Sequence, residues 1–374
     1  MTEWIDRDTV LKRLGIKAQT LYAYASRGRI RMRPDPADAR RSLYSVDDVA
    51  EAGVRKARGR KPAAIASSSM AWGEPSIPTR LSTIHRGKLY YRDVDALTLA
   101  STAMLEEVAR HLWAVDWQPA FSAAAGPHAD AFSFLAARIS TGASTIGRSG
   151  DHLAREAAQI IGGLASICGA ADVPGPLHHR LARGWDGDDG TADRLRRALV
   201  AMADHDLNAS TFAARVAAST GASLPACLLA ALCTLSGPRH GGAGAALAAL
   251  VEEARRSGAE HAVRHWRERD AMLPGFGHPL YPQGDPRAAL MLAGLTPPED
   301  LAELAADVRE QTGALPNCDY ALAAITRVLR LPPDAPFKIF LLGRAVGWCA
   351  HVIEQSRDGT LIRPRGRFDG ALPD

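Results

Sequence analysis

The stretch SGPRHGG, residues 236–242, decides how the chain reads, because it sets one histidine among glycines where an almost wholly apolar helical stretch, 222–235, runs out. Gly237, Gly241 and Gly242 are expected to let the backbone take strained dihedrals and come close to a ligand, while Pro238 stiffens the turn. His240 is thereby carried at the mouth of the protein's interior. Taken alone, a histidine beside glycines reads as a helix-terminal loop residue. Working outward, two more ionisable groups stand on turns. His278 follows a Pro/Gly turn in LPGFGHPLYPQGDPRA, residues 273–288. Asp319 sits in LPNCDYALAAI, residues 315–325, where on its own it reads as the N-cap of a helix starting at Tyr320.

The 374 residues exceed one ordinary domain, and an apolar fraction of 47% supplies a large core, so two domains of unequal size are expected. No apolar run reaches the roughly 20 residues of a membrane helix; the stretch 222–235 falls short and carries Pro225. The opening MTEWIDRDTV is acidic and polar, unlike a secretory signal. Five cysteines (Cys168, Cys227, Cys233, Cys318, Cys349) are odd in number and show no paired spacing. They read as small buried apolar residues in a reducing compartment, and a cytoplasmic location is expected.

The net charge of +4 is unevenly spread: residues 1–62 hold 15 Lys+Arg against 8 Asp+Glu, and the rest 30 against 33. Within the basic piece, 8–14 suits a first helix, 19–27 (QTLYAYASR) a second ended by Gly28, and 29–33 with 41–44 a two-stranded wing around PDPADA. A further helix starts near Ser45, where Ser45 and Asp48 have capping-box spacing. The pattern resembles the winged helix-turn-helix of MerR-type and excisionase-like proteins. That resemblance implies DNA binding, with Thr20, Tyr22 and Arg27 on or beside the recognition helix and Arg40 and Arg41 on the wing. A basic helical domain used for assembly is the other reading. Residues 1–54 are thus one expected domain, and 55–79, rich in basic, Ser and Pro residues without periodicity, a linker.

From 80 to 374 the chain reads as helical nearly throughout, after an extended hairpin at 83–92, with long Ala/Leu-rich segments and no repeat. The turns at 236–242, 273–288 and 315–325, in that order, are similar to citrate synthase, whose members read roughly GPLHGGAN, PGxGHxxYxxxDPR and PNVDF. The resemblance covers about residues 80–374. It implies an all-α, two-lobed dimer with its site in the cleft between lobes, and a transferase condensing an acyl-CoA, acetyl-CoA foremost, with oxaloacetate. No permanently bound cofactor or metal is implied, the coenzyme A thioester being a substrate.

By the same resemblance Asp319 is the base that takes the α-proton, His240 the donor to the thioester oxygen, and His278 the group that polarises the ketone. Arg287 in DPR, Arg344 in LLGRAVGW and Arg363 in IRPRGRFDG are the carboxylate-binding arginines, with Arg363 completing the partner's site. His205 in MADHDLNAST joins them, and the backbone of Leu273, Pro274, Gly275 and Gly277 lies against coenzyme A. Arginine forks suit a dicarboxylate. Arg239, Gly244, Ala245 and the PQG at 282–284 depart from the family pattern, which leaves acetyl-, propionyl- or a larger acyl-CoA open, 2-methylcitrate synthase among the alternatives. The rival from another class is a transcription regulator whose citrate-synthase-like body senses a CoA ester or an oxo acid. Other candidates are weaker: His261 and His265 have i,i+4 spacing without a third ligand, and His178 and His179 are neighbours expected to point different ways.

Overall fold

The computed structural model describes residues 4–16, 20–21, 24–25, 30–35, 38–50, 77–122, 126–269, 272–365 and 370. They divide into two units, Met1–Ile77 with Pro364–Asp374, and Pro78–Arg363.

In the first unit, β1 (Trp4–Asp6) leads into α1 (Arg7–Leu14), and β2 (Met32–Asp35) and β3 (Asp38–Ser45) form the expected hairpin. The sheet is antiparallel in the order β1-β3-β2, with Trp4 opposite Ser45 and Met32 opposite Tyr44. Sequence reading did not anticipate β1. Asp6 caps α1 by accepting from Thr9 N at 2.9 Å, and Gly15 at φ 55° ends it. Val10, Leu14, Leu21, Ile30, Tyr44 and Val49 make the core. The expected capping box forms only in part. Asp48 N donates to Ser45 Oγ, but the Asp48 carboxylate accepts instead from the Arg31 backbone N–H and guanidinium at 2.8 Å, a charged donor set that outcompetes one backbone amide. Positions 20–21 and 24–25 are helical, with Thr20 half-buried. Tyr22 and Arg27 lie outside the described residues, as do residues 51–76 and the side chains of Arg40 and Arg41.

The second unit opens with an antiparallel sheet of β4 (Ser82–His85), β5 (Lys88–Tyr91) and β6 (Val94–Asp95). Helices follow: α2 (Ala96–Thr102), α3 (Leu105–Trp113), α4 (Ala131–Ile139), α5 (Gly150–Ile167), α6 (Leu177–Gly184), α7 (Asp189–Ala201), α8 (Ala209–Ser219) and α9 (Leu224–Leu235). The chain continues through α10 (Ala243–Ser257), α11 (Ala259–Arg269), α12 (Pro286–Leu292), α13 (Glu299–Thr312), α14 (Cys318–Val328) and α15 (Ala335–Asp358). The stretch 96–114, which reads as one helix, is two. Arg196 on α7 donates to the carbonyls of Ala100, Ser101 and Ala103, satisfying the end of α2 from outside, while Glu107 accepts from Met104 N to start α3. The eight-residue α6 was not anticipated either.

Two apolar clusters correspond to a larger and a smaller lobe. The larger gathers α2–α9 around α15; the smaller is built from α10, α11, α13 and one face of α14. Helix α15 is long and apolar enough to cross a membrane by length and composition, but 83% of its most apolar window is buried inside the fold, as expected of a core helix. It crosses the end of α7 at very short range. A Cβ on Gly343 would come 2.6 Å from Leu199 O, one on Gly347 would come 2.3 Å from Ala203 O, and Gly347 N donates to that same oxygen at 3.1 Å. The GxxxG-like spacing is thus a packing device.

Ala is favoured over Gly in a helix by about 1 kcal/mol, but at position 347 the methyl would meet backbone oxygen. Overpacking costs about 1–3 kcal/mol. Gly347→Ala should therefore lower the denaturation midpoint, measured in urea, whereas a midpoint at or above that of the parent would show that the crossing yields.

Candidate functional site

Each of the three turns is shaped by its own neighbours. Gly237, Gly241 and Gly242 do not take positive φ, contrary to the expectation from sequence. Gly241 and Gly242 are required by close approach: a Cβ on Gly242 would lie 2.5 Å from Ser236 O and one on Gly241 2.6 Å from Leu235 Cδ1, whereas one on Gly237 would meet only Thr234 O at 3.4 Å. The turn is closed by Gly242 N to Leu235 O and His240 N to Gly237 O. In the second turn, Gly275 (φ 85°) and Gly277 (φ 70°) do adopt the left-handed region. Leu273 and Phe276 are buried in the smaller core, and the backbone is laced to the third turn by Gly277 N to Leu315 O and Asn317 N to Gly275 O. That lacing fixes His278 relative to Asp319. Asp319 is not the N-cap: Asn317 is, accepting from Asp319 N at 2.9 Å, so the carboxylate in the first turn of α14 is spared.

The histidines are set as neutral groups, and His278 has a defined tautomer. His278 Nδ1 accepts from Leu280 N at 3.2 Å, so Nε2 carries the hydrogen and is free to donate. Burial, reinforced by Arg287, pushes its pKa down to about 4. Burial with Arg344 nearby takes His240 to about 3, and burial with Arg287 and Arg344 holds His205 well below the ordinary value. The ring of His240 packs edge-on to Phe340. Its Nε2 lies 2.7 Å from Ser210 Oγ, which also accepts from Trp348 Nε1 and lies 2.8 Å from Asn208 Oδ1. Asn208 is oriented by Thr211 N donating to Oδ1, so the single Ser210 proton has two acceptors in reach. Given to His240, it leaves Nδ1–H as an outward donor.

Tyr281 ties the second turn to MADHDLNAST. Its hydroxyl is 3.0 Å from His205 Nε2, its ring centroid is 5.0 Å from that of His278, and the Arg287 guanidinium lies over its face at 5.7 Å. The two buried arginines are held differently. Arg287 is clamped by Asp285 through Nε at 3.0 Å and Nη2 at 2.8 Å, leaving Nη1 unbonded among the described residues. Among the described residues Arg344 donates only Nε, to Met202 O at 2.9 Å, which leaves both its terminal nitrogens open there. Asp319 has no hydrogen-bond partner for its carboxylate among the described residues and lies within electrostatic reach of Arg287, Asp285 and Arg344. Burial outweighs the arginines and raises its pKa to about 6, suited to a base near neutral pH. Arg363 is exposed and joins none of these contacts.

Reading the sequence missed Ser210, Asp204, Asp285, Phe340 and His351. Tyr281 and Asp285, like Asp204 and Ser210 in MADHDLNAST, fall inside stretches already singled out; Phe340 and His351 do not. His265 Nδ1 meets Glu253, whose other oxygen accepts from Trp266 Nε1, and no metal-type cluster of three occurs among the described residues. His178 and His179, expected to diverge, lie with ring centroids 4.5 Å apart in the first turn of α6.

Two helical lobes with a cluster of imidazoles, arginine forks and a carboxylate without a hydrogen-bond partner among the described residues make up a fold that is matched elsewhere. A family model, citrate synthase, C-terminal domain, matches residues 168–365. The chain belongs to the citrate synthase family. It is 36% identical over 209 residues to the putative citrate synthase 2 of Mycobacterium tuberculosis H37Rv, covering 52% of this chain and 56% of that protein. It is 36% identical over 205 residues to citrate synthase of Haloferax volcanii, covering 51% and 53%. The chain spans about half the length of the curated relatives it matches. The fold matches the citrate synthase of Thermoplasma acidophilum, solved in ternary complex with carboxymethyl coenzyme A and oxaloacetate, with a TM-score of 0.65 at 24% identity, over 82% of this chain and 97% of that one.

The perturbed groups predict opposite pH effects on stability. Asp319 has a folded pKa of about 6 against an ordinary 3.8, so its contribution is favourable below pH 3.8 and is lost as pH rises through 6. His240 and His278, depressed to about 3 and 4 from 6.5, contribute above 6.5 and lose that contribution as pH falls through those values. Asp319→Asn should then stabilise the protein at pH 8 by on the order of 1–3 kcal/mol, and much less at pH 4.5. Melting curves at the two pH values check this; equal shifts at both would show that the carboxylate is not held in an unfavourable environment.

Proposed function

We propose that the protein condenses an acyl-CoA, acetyl-CoA foremost, with oxaloacetate and releases coenzyme A. The observation that carries this is one pKa-raised carboxylate, Asp319, with no hydrogen-bond partner among the described residues, in a cluster with two neutral imidazoles, of which His278 has its Nε2–H free. Asp319 takes a proton from the carbon next to the thioester, and His240 Nδ1–H bonds the enol oxygen that develops. The new nucleophilic carbon attacks the oxaloacetate ketone, whose oxygen is met by His278 Nε2–H, and water then cleaves the thioester. Arg287 Nη1 and the open fork of Arg344 hold carboxylates, with His205 at the ketone. The backbone of Leu273, Pro274, Gly275 and Gly277 is the stretch we assign to coenzyme A. A sensor would need the arginines but not this proton chemistry.

A dimer completes the reading. Asp285 already balances Arg287, so a dicarboxylate bringing two negative charges calls for a further cation, and exposed Arg363 of a second copy supplies it. Exposed Phe132 and Ile139 on α4, with exposed Cys233 on neighbouring α9, offer an apolar surface for that copy.

The test is thiol release from acetyl-CoA with oxaloacetate, propionyl-CoA run beside it. Asp319→Asn should lower turnover by at least about 10²-fold and leave oxaloacetate binding nearly intact; wild-type turnover in this variant sinks the assignment. Arg363→Ala and Asp319→Asn homodimers should each be nearly inactive, and co-refolding them in equal amounts should return roughly a quarter of parental activity, because half the dimers are mixed and each has one intact site. A mixture that exchanges subunits but stays inactive places Arg363 in its own chain's site.

For the first unit we propose DNA binding, supported by the β2–β3 hairpin and the excess of basic residues in 1–62. Duplex binding by the whole chain should then weaken steeply as salt rises. Absence of binding at low salt makes assembly the better reading.

A further inference from the structure

A buried chain of charged and polar groups lies directly behind the site and is used by none of the steps above. Glu354 accepts from Arg215 Nη1 at 2.7 Å and from Thr79 Oγ1 and Arg80 N at 2.8 Å. Arg215 Nη1 in turn meets His351 Nδ1 at 3.3 Å. Arginine has only donors to offer, so His351 Nδ1 accepts and Nε2 carries the hydrogen, which it donates to Asp204 Oδ2 at 3.1 Å. Ser82 Oγ donates to the same oxygen at 2.6 Å. Asp204 and His351 are both fully buried, and Asp204 Oδ1 has no hydrogen-bond partner among the described residues.

That unpartnered oxygen faces α15 at Gly347, where a Cβ would stand 2.8 Å from it. Gly347 is one turn from Arg344 on the same helix, and Arg344 Nε donates to Met202 O, two residues before Asp204. Asp204 and Arg344 are therefore close neighbours, each altering the other's ionisation, yet no ion pair joins them. Two buried opposite charges this near would ordinarily close into a bidentate pair, as Asp285 and Arg287 do.

We propose that Asp204 is the counter-ion of Arg344, held off it by Ser82 and His351 so that the arginine's charge is balanced in the empty site while its terminal nitrogens stay free for a substrate carboxylate. Asp204, Ser82 and His351 are positioning residues: they touch no substrate and act through Arg344. This rests on the proposed dicarboxylate site.

Removing the Ser82 hydroxyl should let the carboxylate turn onto Arg344 and compete with the incoming anion. Ser82→Ala should raise the KM for oxaloacetate by about tenfold, the equivalent of one charge-assisted hydrogen bond lost to the competitor, with kcat at saturation changed by less than about threefold. The second variant decides the cause. Asp204→Asn added to Ser82→Ala takes away the competing charge and should bring KM back to within about threefold of the parent. A merely structural role for the chain would leave the double variant as impaired as the single one, or more so.

Calorimetric titration of parent, single and double variants with oxaloacetate and with malonate is run beside the kinetics, and melting curves confirm folding. Turnover by the parent with no rise in KM for Ser82→Ala, or no recovery in the double variant, overturns this inference and leaves the functional reading standing. The same loss and recovery in dicarboxylate binding by a chain that does not turn over upholds the inference and overturns condensation. A parent chain that binds neither dicarboxylate overturns both.

Discussion

The contact on which the rest depends is the crossing of α15 over the end of α7, where Gly347 N donates to Ala203 O at 3.1 Å. Helix axes normally pack 8–10 Å apart, and backbone-to-backbone hydrogen bonding between elements requires the side chains at the contact to vanish. Gly343 and Gly347 provide that. Because the approach is so close, one face of α15 brings Arg344, Trp348 and His351 against 199–210, which carries Asp204, His205, Asn208 and Ser210. Tyr91 locks the turn from the other side: its hydroxyl accepts from Asp204 N and has the carbonyls of Val200, Ala201 and Asp204 in reach of its one proton, Val200 O nearest at 2.9 Å. A change of a few tenths of an ångström at the glycines would move the histidine partner, the arginine and its counter-ion together.

The electrostatics follow from enclosure. Burial disfavours charge on every ionisable group in the cluster, and the outcome differs with what each can find nearby. The imidazoles become neutral. Arg287 keeps its charge through a clamp from Asp285, and Arg344 through a neighbour that does not touch it. Asp319 has no hydrogen-bond partner among the described residues, and burial raises its pKa to about 6. Assigning the cap of α14 to Asn317 matters here, because a carboxylate bonded to backbone N–H groups would be driven to low pKa and cease to be a base.

Much of this site was legible in the sequence, and the reason is local. His240, His278 and Asp319 each stand in a turn whose glycines, prolines and cap residues must be close by in the chain, so chemistry and conformation share one short window. The backbone role of the 236–242 glycines was misread, since close approach and positive φ call for the same residue and only coordinates separate them. Ser82, Asp204, Arg215 and His351 stayed hidden for the opposite reason: their bonds span 122 to 147 positions, and each residue alone reads as an ordinary member of a helix or strand. The break at Ala103 was invisible on the same grounds, because Arg196 ends α2 from 93 to 96 residues away.

The separation of those partners also constrains how the site comes into being. His240 and Ser210 are 30 positions apart, but Ser210 reaches Trp348 across 138 and Asp204 reaches His351 across 147. Pairing over such distances is favourable only after the loop-closure entropy has been met by burial elsewhere, so α15 must dock before the polar chain behind the site can close. Until then Asp204 is a solvated carboxylate with no call to be held off Arg344, and the histidines titrate near their ordinary values. The neutral imidazoles, the poised Asp319 and the open fork of Arg344 are therefore properties of the docked core helix rather than of the three turns, and the turns acquire their chemistry last.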